Sequence, residues 1–207
     1  MADIRLGYFL EDVGQEAFLT TLAERIAEEV GLAADGLYHD SRSVIGGKGR
    51  AISELRCFLL DVGRGLERTF DVLVVAIDSN CQGFVEKRNE IQQVVEQTGY
   101  PGTVVCAIPD PHIERWYLAD AQALGQAIGA DVQPKVPSYK CERGRYKEAL
   151  REALRQASIV APLGGAEYGP EVANALNLYI VGKEDTGFKH FVDELRGALR
   201  VISRTAK

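Results

Sequence analysis

Three short stretches set carboxylates directly after apolar runs. Glu11 and Asp12 follow Ile4 to Leu10, Asp78 and Asn80 follow Asp71 to Ile77, and Asp110 with Glu114 follows Thr103 to Ile108. A buried strand that stops on a carboxylate delivers acceptor oxygens to the rim of a sheet. In a parallel open sheet these carboxyl ends share one edge, where such folds place their ligands. Acids that converge there repel one another unless a cation joins them, and an all-oxygen donor set suits Mg²⁺ or Mn²⁺. Such an ion acts on phosphate esters by activating water and neutralising charge on the transferring phosphoryl group.

The elements that would position these acids follow from periodicity. After Gly14, apolar Phe18, Leu22, Ile26 and Val30 mark one face of a helix that Gly31 closes. Residues 32–48 read mostly as loop, closing in the cation-bearing Ser41-Arg42-Ser43-Val44-Ile45-Gly46-Gly47-Lys48-Gly49-Arg50. This is not a Walker A loop, because Lys48 precedes Gly49 rather than Ser or Thr. A backbone turn carrying solvated cations is the first reading, and phosphate contact the second. A helix from Ala51 to about Leu60 leads to the second strand, and a helix from Phe84 to Gln97 leads to the third. Pro109 and Pro111 then force a turn before a short helix.

Beyond Asp120 the pattern is helical: Ala121 to Gly129, Tyr146 to Gln156 behind the basic cluster Lys140, Arg143, Arg145 and Lys147, a helix from Pro170, and an amphipathic helix from about Phe188 to Ile202. Strands alternating with helices imply an α/β fold with a mainly parallel open sheet flanked by helices. The expected division is an α/β core over residues 1–120 and a helical C-terminal extension over 121–207 packed on it, or one continuous domain.

The bland readings of single residues are equally specific. An acid at a strand end is often a helix cap or turn former, and Asp110 between two prolines reads as a turn residue. His112 is a solvated loop histidine, a ligand or an acid–base group, Trp116 and Tyr117 read as core, and His39 and His190 have no supporting neighbours. The four cysteines, Cys57, Cys81, Cys106 and Cys141, form no CxxC pair, so buried thiols are expected rather than a zinc site or a disulfide. A net charge of −6 argues against a broad nucleic-acid surface but leaves room for a local basic groove. No run approaches the roughly 18 apolar residues of a membrane span, and no signal-peptide core is visible, so the expected compartment is the cytoplasm.

The runs Gly7-Tyr8-Phe9-Leu10-Glu11-Asp12-Val13-Gly14-Gln15-Glu16 and Val74-Val75-Ala76-Ile77-Asp78-Ser79-Asn80 resemble the TOPRIM fold of topoisomerases, primases and overcoming-lysogenization-defect nucleases. Its members carry a Glu after the first strand and Asp-x-Asp after a later one. The stretch Ala107 to Asp120, with Glu114-Arg115-Trp116-Tyr117-Leu118-Ala119-Asp120, is similar to the Glu-x-Trp-x-Leu-Ala-Asp signature of a TOPRIM-like bacterial family of unassigned function. Members of that family are often encoded beside P-loop ATPases in defence loci. The resemblance covers roughly residues 4–120. It implies Glu11 as metal ligand or general acid–base, Asp78 as metal ligand and Glu114 as a further acid of the site. Two departures stand out: Asn80 replaces the second Asp of the pair, and Asp12 replaces the usual glycine after the Glu.

Two functions compete. In the first, a Mg²⁺- or Mn²⁺-dependent nuclease or phosphodiesterase, Glu11, Asp78, Asn80 and Glu114 hold the ion. Glu11, Asp78 and Glu114 carry catalysis, and Arg42, Lys48, Arg50, Arg143 and Arg145 contact the phosphates of DNA or RNA. In the second, the chain is a catalytically degenerate TOPRIM-like binding or regulatory module. Either could work with a P-loop ATPase partner. A PD-(D/E)xK nuclease is excluded, because no ExK strand follows Asp110 at the right distance and Glu114 runs into Arg115-Trp116.

Overall fold

In the computed structural model, which describes residues 4–45, 49–134, 138–139, 141–142 and 144–205, β1 (Ile4–Leu10) lies against β3 (Val72–Ala76) at the centre of a parallel sheet. Outside them lie β2 (Leu37–Ser43) and β4 (Thr103–Ala107), giving the order β2-β1-β3-β4. Every strand pairing among the described residues is parallel. The protein is thus an α/β fold with an all-parallel open sheet flanked by helices, of Rossmann-like type.

Successive residues of a strand point to opposite faces, and both faces of the central strands are covered. Leu6, Tyr8, Leu10, Val72, Val74, Ala76, Val105 and Ala107 enter one apolar cluster, with α1 (Glu16–Glu29) and the helices that follow β4. Phe9, Leu73, Val75 and Cys106 enter the other, against α2 (Ala51–Gly63) and α3 (Phe84–Thr98). Gly99, left-handed at φ 64°, closes α3 and its N–H donates to Glu96 O.

The C-terminal helices share the core with the sheet. They are α4 (Glu114–Leu118), α5 (Ala121–Ile128), α6 (Arg145–Gln156), α7 (Gly169–Ala175), α8 (Leu178–Glu184) and α9 (Thr186–Thr205). Trp116 and Tyr117 are buried, as expected. Trp116 packs edge-on to Phe188 at 5.1 Å and stacks with Phe191 at 6.1 Å, while Tyr117 meets Phe18 at 4.9 Å. Gly187 is required where α9 starts, since any Cβ there would strike the Ile108 carbonyl at the end of β4.

Two elements differ from the sequence reading. The expected loop over residues 32–48 contains β2, whose alternation is hidden because only Leu37 of its seven residues is buried. A polar strand of this kind is tolerated at an edge, where one side faces water. Helix α8 also went unread, its start set by Asn177 Oδ1, which accepts from the backbone N–H groups of Tyr179 and Ile180.

Candidate functional site

The chain leaves β1 toward β2 on one side, then returns to β3 on the other, so the strand order switches direction between β1 and β3. Open α/β sheets hold their ligands at such a switch point. The register pairs Leu10 with Ala76 and Ala76 with Ala107, so the three strands end level. Glu11 and Asp78 therefore leave the sheet side by side. A cavity of about 610 Å³ opens beside them, and Gln15, His112, Glu114 and Lys147 also line it.

Hydrogen bonds fix the two acids. The Asp78 N–H donates to Glu11 Oε2 at 2.9 Å, and Asn80 Nδ2 donates to Glu11 Oε1 at 3.3 Å and to the Asp78 carbonyl at 3.1 Å. Gln15 Nε2 donates to Asp78 Oδ1 at 3.0 Å. His112 Nδ1 lies 3.1 Å from Asp78 Oδ2; a carboxylate only accepts, so Nδ1 carries the hydrogen of this bond. Asn80 reaches Glu11 because its backbone is left-handed, φ 46°, a conformation that asparagine tolerates better than most residues.

The loop beyond β4 is tied to this turn. The Ser79 N–H donates to the Pro109 carbonyl at 2.9 Å, and Ser79 Oγ to Asp110 Oδ1 at 2.7 Å. Tyr139 OH donates to the same Asp110 oxygen at 3.0 Å, so Asp110 fastens loops together, consistent with its reading as a turn residue. Arg115 clamps the other side: Nη1 donates to Asp110 O at 2.7 Å and Asp185 Oδ2 at 3.0 Å, and Nη2 to Glu184 O at 2.6 Å. Burial pushes the Asp185 carboxyl up, against the opposing pull of the Phe188 N–H and Arg115.

Of the remaining expected residues, Asp12 also lines the cavity, and the cations scatter. Asp12 is exposed, and its Oδ1 accepts from the Gly14 N–H at 2.8 Å, so it shapes the turn into α1. Arg42 pairs with Glu67 and lies over the Phe58 ring. Arg50 is exposed at the start of α2. Arg145 pairs with Glu142 at 3.0 Å. Lys48 and Arg143, like Lys140, lie outside the described residues. Among the described residues, the cation that does line the cavity is Lys147, in the first turn of α6.

Gln15 was missed. Its signal was its position four residues after Glu11, at the turn that carries the chain back over the strand end. His39, left without a role, lies 2.9 Å from Tyr8 OH, and His190 stacks on Phe84 at 4.9 Å.

The cysteines depart from the expectation of separate buried thiols. Cys81 and Cys141 form a disulfide, their Cα atoms 5.5 Å apart, a separation that such a bond spans. Sixty positions separate them in sequence, so only the fold brings them together. Cys57 is exposed; Cys106 is buried, and burial pushes its thiol up to about 12.

Among the described residues, no set of three or more His, Cys, Asp or Glu side chains is arranged to hold an ion. Glu114 shares the cavity with Glu11 and Asp78 without completing such a set. Mg²⁺, however, is commonly held by only one or two carboxylates together with waters and substrate phosphates. Glu11 and Asp78 supply that pair. Gln15, 1 % exposed, turns its Nε2 to Asp78, and its buried Oε1 has no hydrogen-bond partner among the described residues. Glu11 and Asp78 are thus the acids a hard divalent cation would have to use, and their oxygens already accept hydrogen bonds from protein groups.

Fold and site together define an α/β protein with an acidic crevice at its switch point. No family model, curated protein or solved structure matches the chain. No helix among the described residues is long and apolar enough to cross a membrane.

Proposed function

We propose that the chain is a TOPRIM-like, Mg²⁺- or Mn²⁺-dependent phosphodiesterase or nuclease acting on DNA or RNA. The observation that carries this reading is the linked pair Glu11 and Asp78 at the β1–β3 switch point, in one cavity with Glu114 and Lys147. Glu11 and Asp78 would hold the ion, and Asn80 would join them as a neutral oxygen donor once its amide turned Oδ1 rather than Nδ2 toward the acids. When bound, the ion would supply charge neutralisation at the phosphate and a more acidic water. Lys147 would draw the phosphate into the cavity by charge. Glu114, in the first turn of α4, would accept or return a proton at the edge of the site. His112 and Gln15 would hold the Asp78 carboxylate in one orientation.

The proposed setting is the cytoplasm of a bacterial defence system, with a P-loop ATPase as partner; the net charge of −6 favours a partner that helps grip nucleic acid. A second reading has its own support. The oxygens of Glu11 and Asp78 already accept hydrogen bonds from protein groups, as in a catalytically degenerate binding or regulatory module.

Calorimetric titration with Mn²⁺ separates the two. The first reading requires binding that Asp78→Ala abolishes, and nicking of plasmid or single-stranded substrate that is lost with it. No binding at millimolar Mn²⁺ overturns that reading and leaves the second.

A further inference from the structure

We propose that Cys81 and Cys141 are a reversible thiol–disulfide pair that holds the Asn80–Cys81 turn in place, and with it the carboxylate site. The link to metal binding rests on the reading of Glu11 and Asp78 given above; the control of the turn does not.

Asn80 and Cys81 are consecutive non-glycine residues with φ of 46° and 78°. L residues seldom adopt that region, and a turn built on two of them persists only where its surroundings hold it. Some holding contacts are hydrogen bonds: Asn80 Nδ2 to Glu11, the Ser79 N–H to Pro109 O at 2.9 Å, and the Gln82 N–H to Ser79 O at 3.0 Å. The covalent one is the disulfide to Cys141. The segment that carries Cys141 also carries Tyr139, which bonds Asp110, and Asp110 in turn accepts from Ser79. One stretch before α6 therefore grips the site's turn twice, once by a covalent bond.

That bond is open to exchange. Cys81 is exposed and Cys141 half-buried, so a thiolate can approach the sulfur. A small dithiol, or a protein dithiol, would attack Cys81 Sγ to give a mixed disulfide and release the Cys141 thiolate, which takes up a proton. The second thiol of the reductant would then displace Cys81, leaving two protein thiols and one oxidised reductant. Glutathione disulfide would reverse the change, yielding two reduced glutathiones. Cys106 is buried and Cys57 lies on α2, outside this turn.

The test uses the full chain carrying Cys57→Ser, treated with glutathione disulfide or with dithiothreitol. Alkylation in denaturant should add two more groups to the reduced form than to the oxidised form. Hydrogen exchange at the Ser79, Asn80 and Gln82 amides should be at least about tenfold faster in the reduced form. Cys141→Ser should show the fast pattern under both treatments. Equal alkylation after both treatments, or exchange at this turn that ignores the redox state, overturns the proposal. Mn²⁺ affinity should fall about fivefold or more on reduction. If neither form binds Mn²⁺ while the exchange contrast persists, the thiol pair stands and the metal reading falls.

Discussion

The Asp78 N–H donates to Glu11 Oε2 at 2.9 Å, while the Glu11 N–H donates to the Ala76 carbonyl at 2.8 Å. The ends of β1 and β3 are thus joined in both directions, once by the sheet ladder and once by a side chain. Glu11 is a positioning group for its neighbour as well as a candidate ligand. The two roles respond differently to substitution.

Glu11→Gln keeps an oxygen for the Asp78 N–H and removes the charge. Its new NH2 would face Asn80 Nδ2, so Mn²⁺ affinity should drop about tenfold or more while the urea midpoint falls slightly. Glu11→Ala strands the N–H as well and should cost about 1–3 kcal/mol of stability. Calorimetry and urea unfolding of both variants check the split.

Asn80→Asp restores the acid of the resembled motif but places a second carboxylate where Asn80 Nδ2 now donates to Glu11 at 3.3 Å. Without metal the variant should be less stable, by about 1 kcal/mol or more from like charges at close range. With Mn²⁺ it should bind more tightly than the parent. A thermal melt run with and without Mn²⁺ should show a larger metal-induced rise for the variant.

The order and type of the apolar elements could be read from sequence because burial on both faces leaves an unbroken apolar run, as in Val72–Ala76, and helical periodicity is plain in α1 and α9. β2 could not, since an edge strand with one buried residue carries almost no periodic signal. The convergence of Glu11 and Asp78 followed from strand ends in a parallel sheet. Their partners were less legible: Gln15 was marked only by its place four residues after Glu11 and His112 only by its side chain's chemistry, while Lys147 reaches the cavity through helix geometry that no local pattern encodes. The Cys81–Cys141 bond was illegible for the same reason.

Asp185 is 1 % exposed; its Oδ2 accepts from Arg115 and its Oδ1 from the Phe188 N–H at the start of α9. Asp185→Ala leaves Arg115 its two carbonyl acceptors but removes its carboxylate partner, and leaves the helix without its cap. The loss should be about 3–5 kcal/mol in urea unfolding. Asp185→Asn, which keeps the capping oxygen, should lose less.

Burial lowers the pKa of His39, although Glu24 nearby favours the charged ring. Neutral His39 Nδ1 can accept from Tyr8 OH, whose own pKa burial raises; a protonated ring cannot. The folded state therefore resists a proton that the unfolded chain takes up near pH ~6.5. Stability should be flat above that pH and fall as pH drops through it toward the lower folded value. His39→Gln should flatten the decline, read as urea midpoints at about pH 5.5 and about pH 7.5.

The clamp of Arg115 on Asp110, Glu184 and Asp185 bears on how this crevice could be moved or copied. A designer who grafted the strand ends bearing Glu11 and Asp78 onto another parallel sheet would carry the acids but leave behind the anchor of the Asp110 loop. That loop fastens Ser79, next to Asp78, and it takes its position from the α8–α9 junction far along the chain. The portable unit is therefore the strand ends together with the α8–α9 corner.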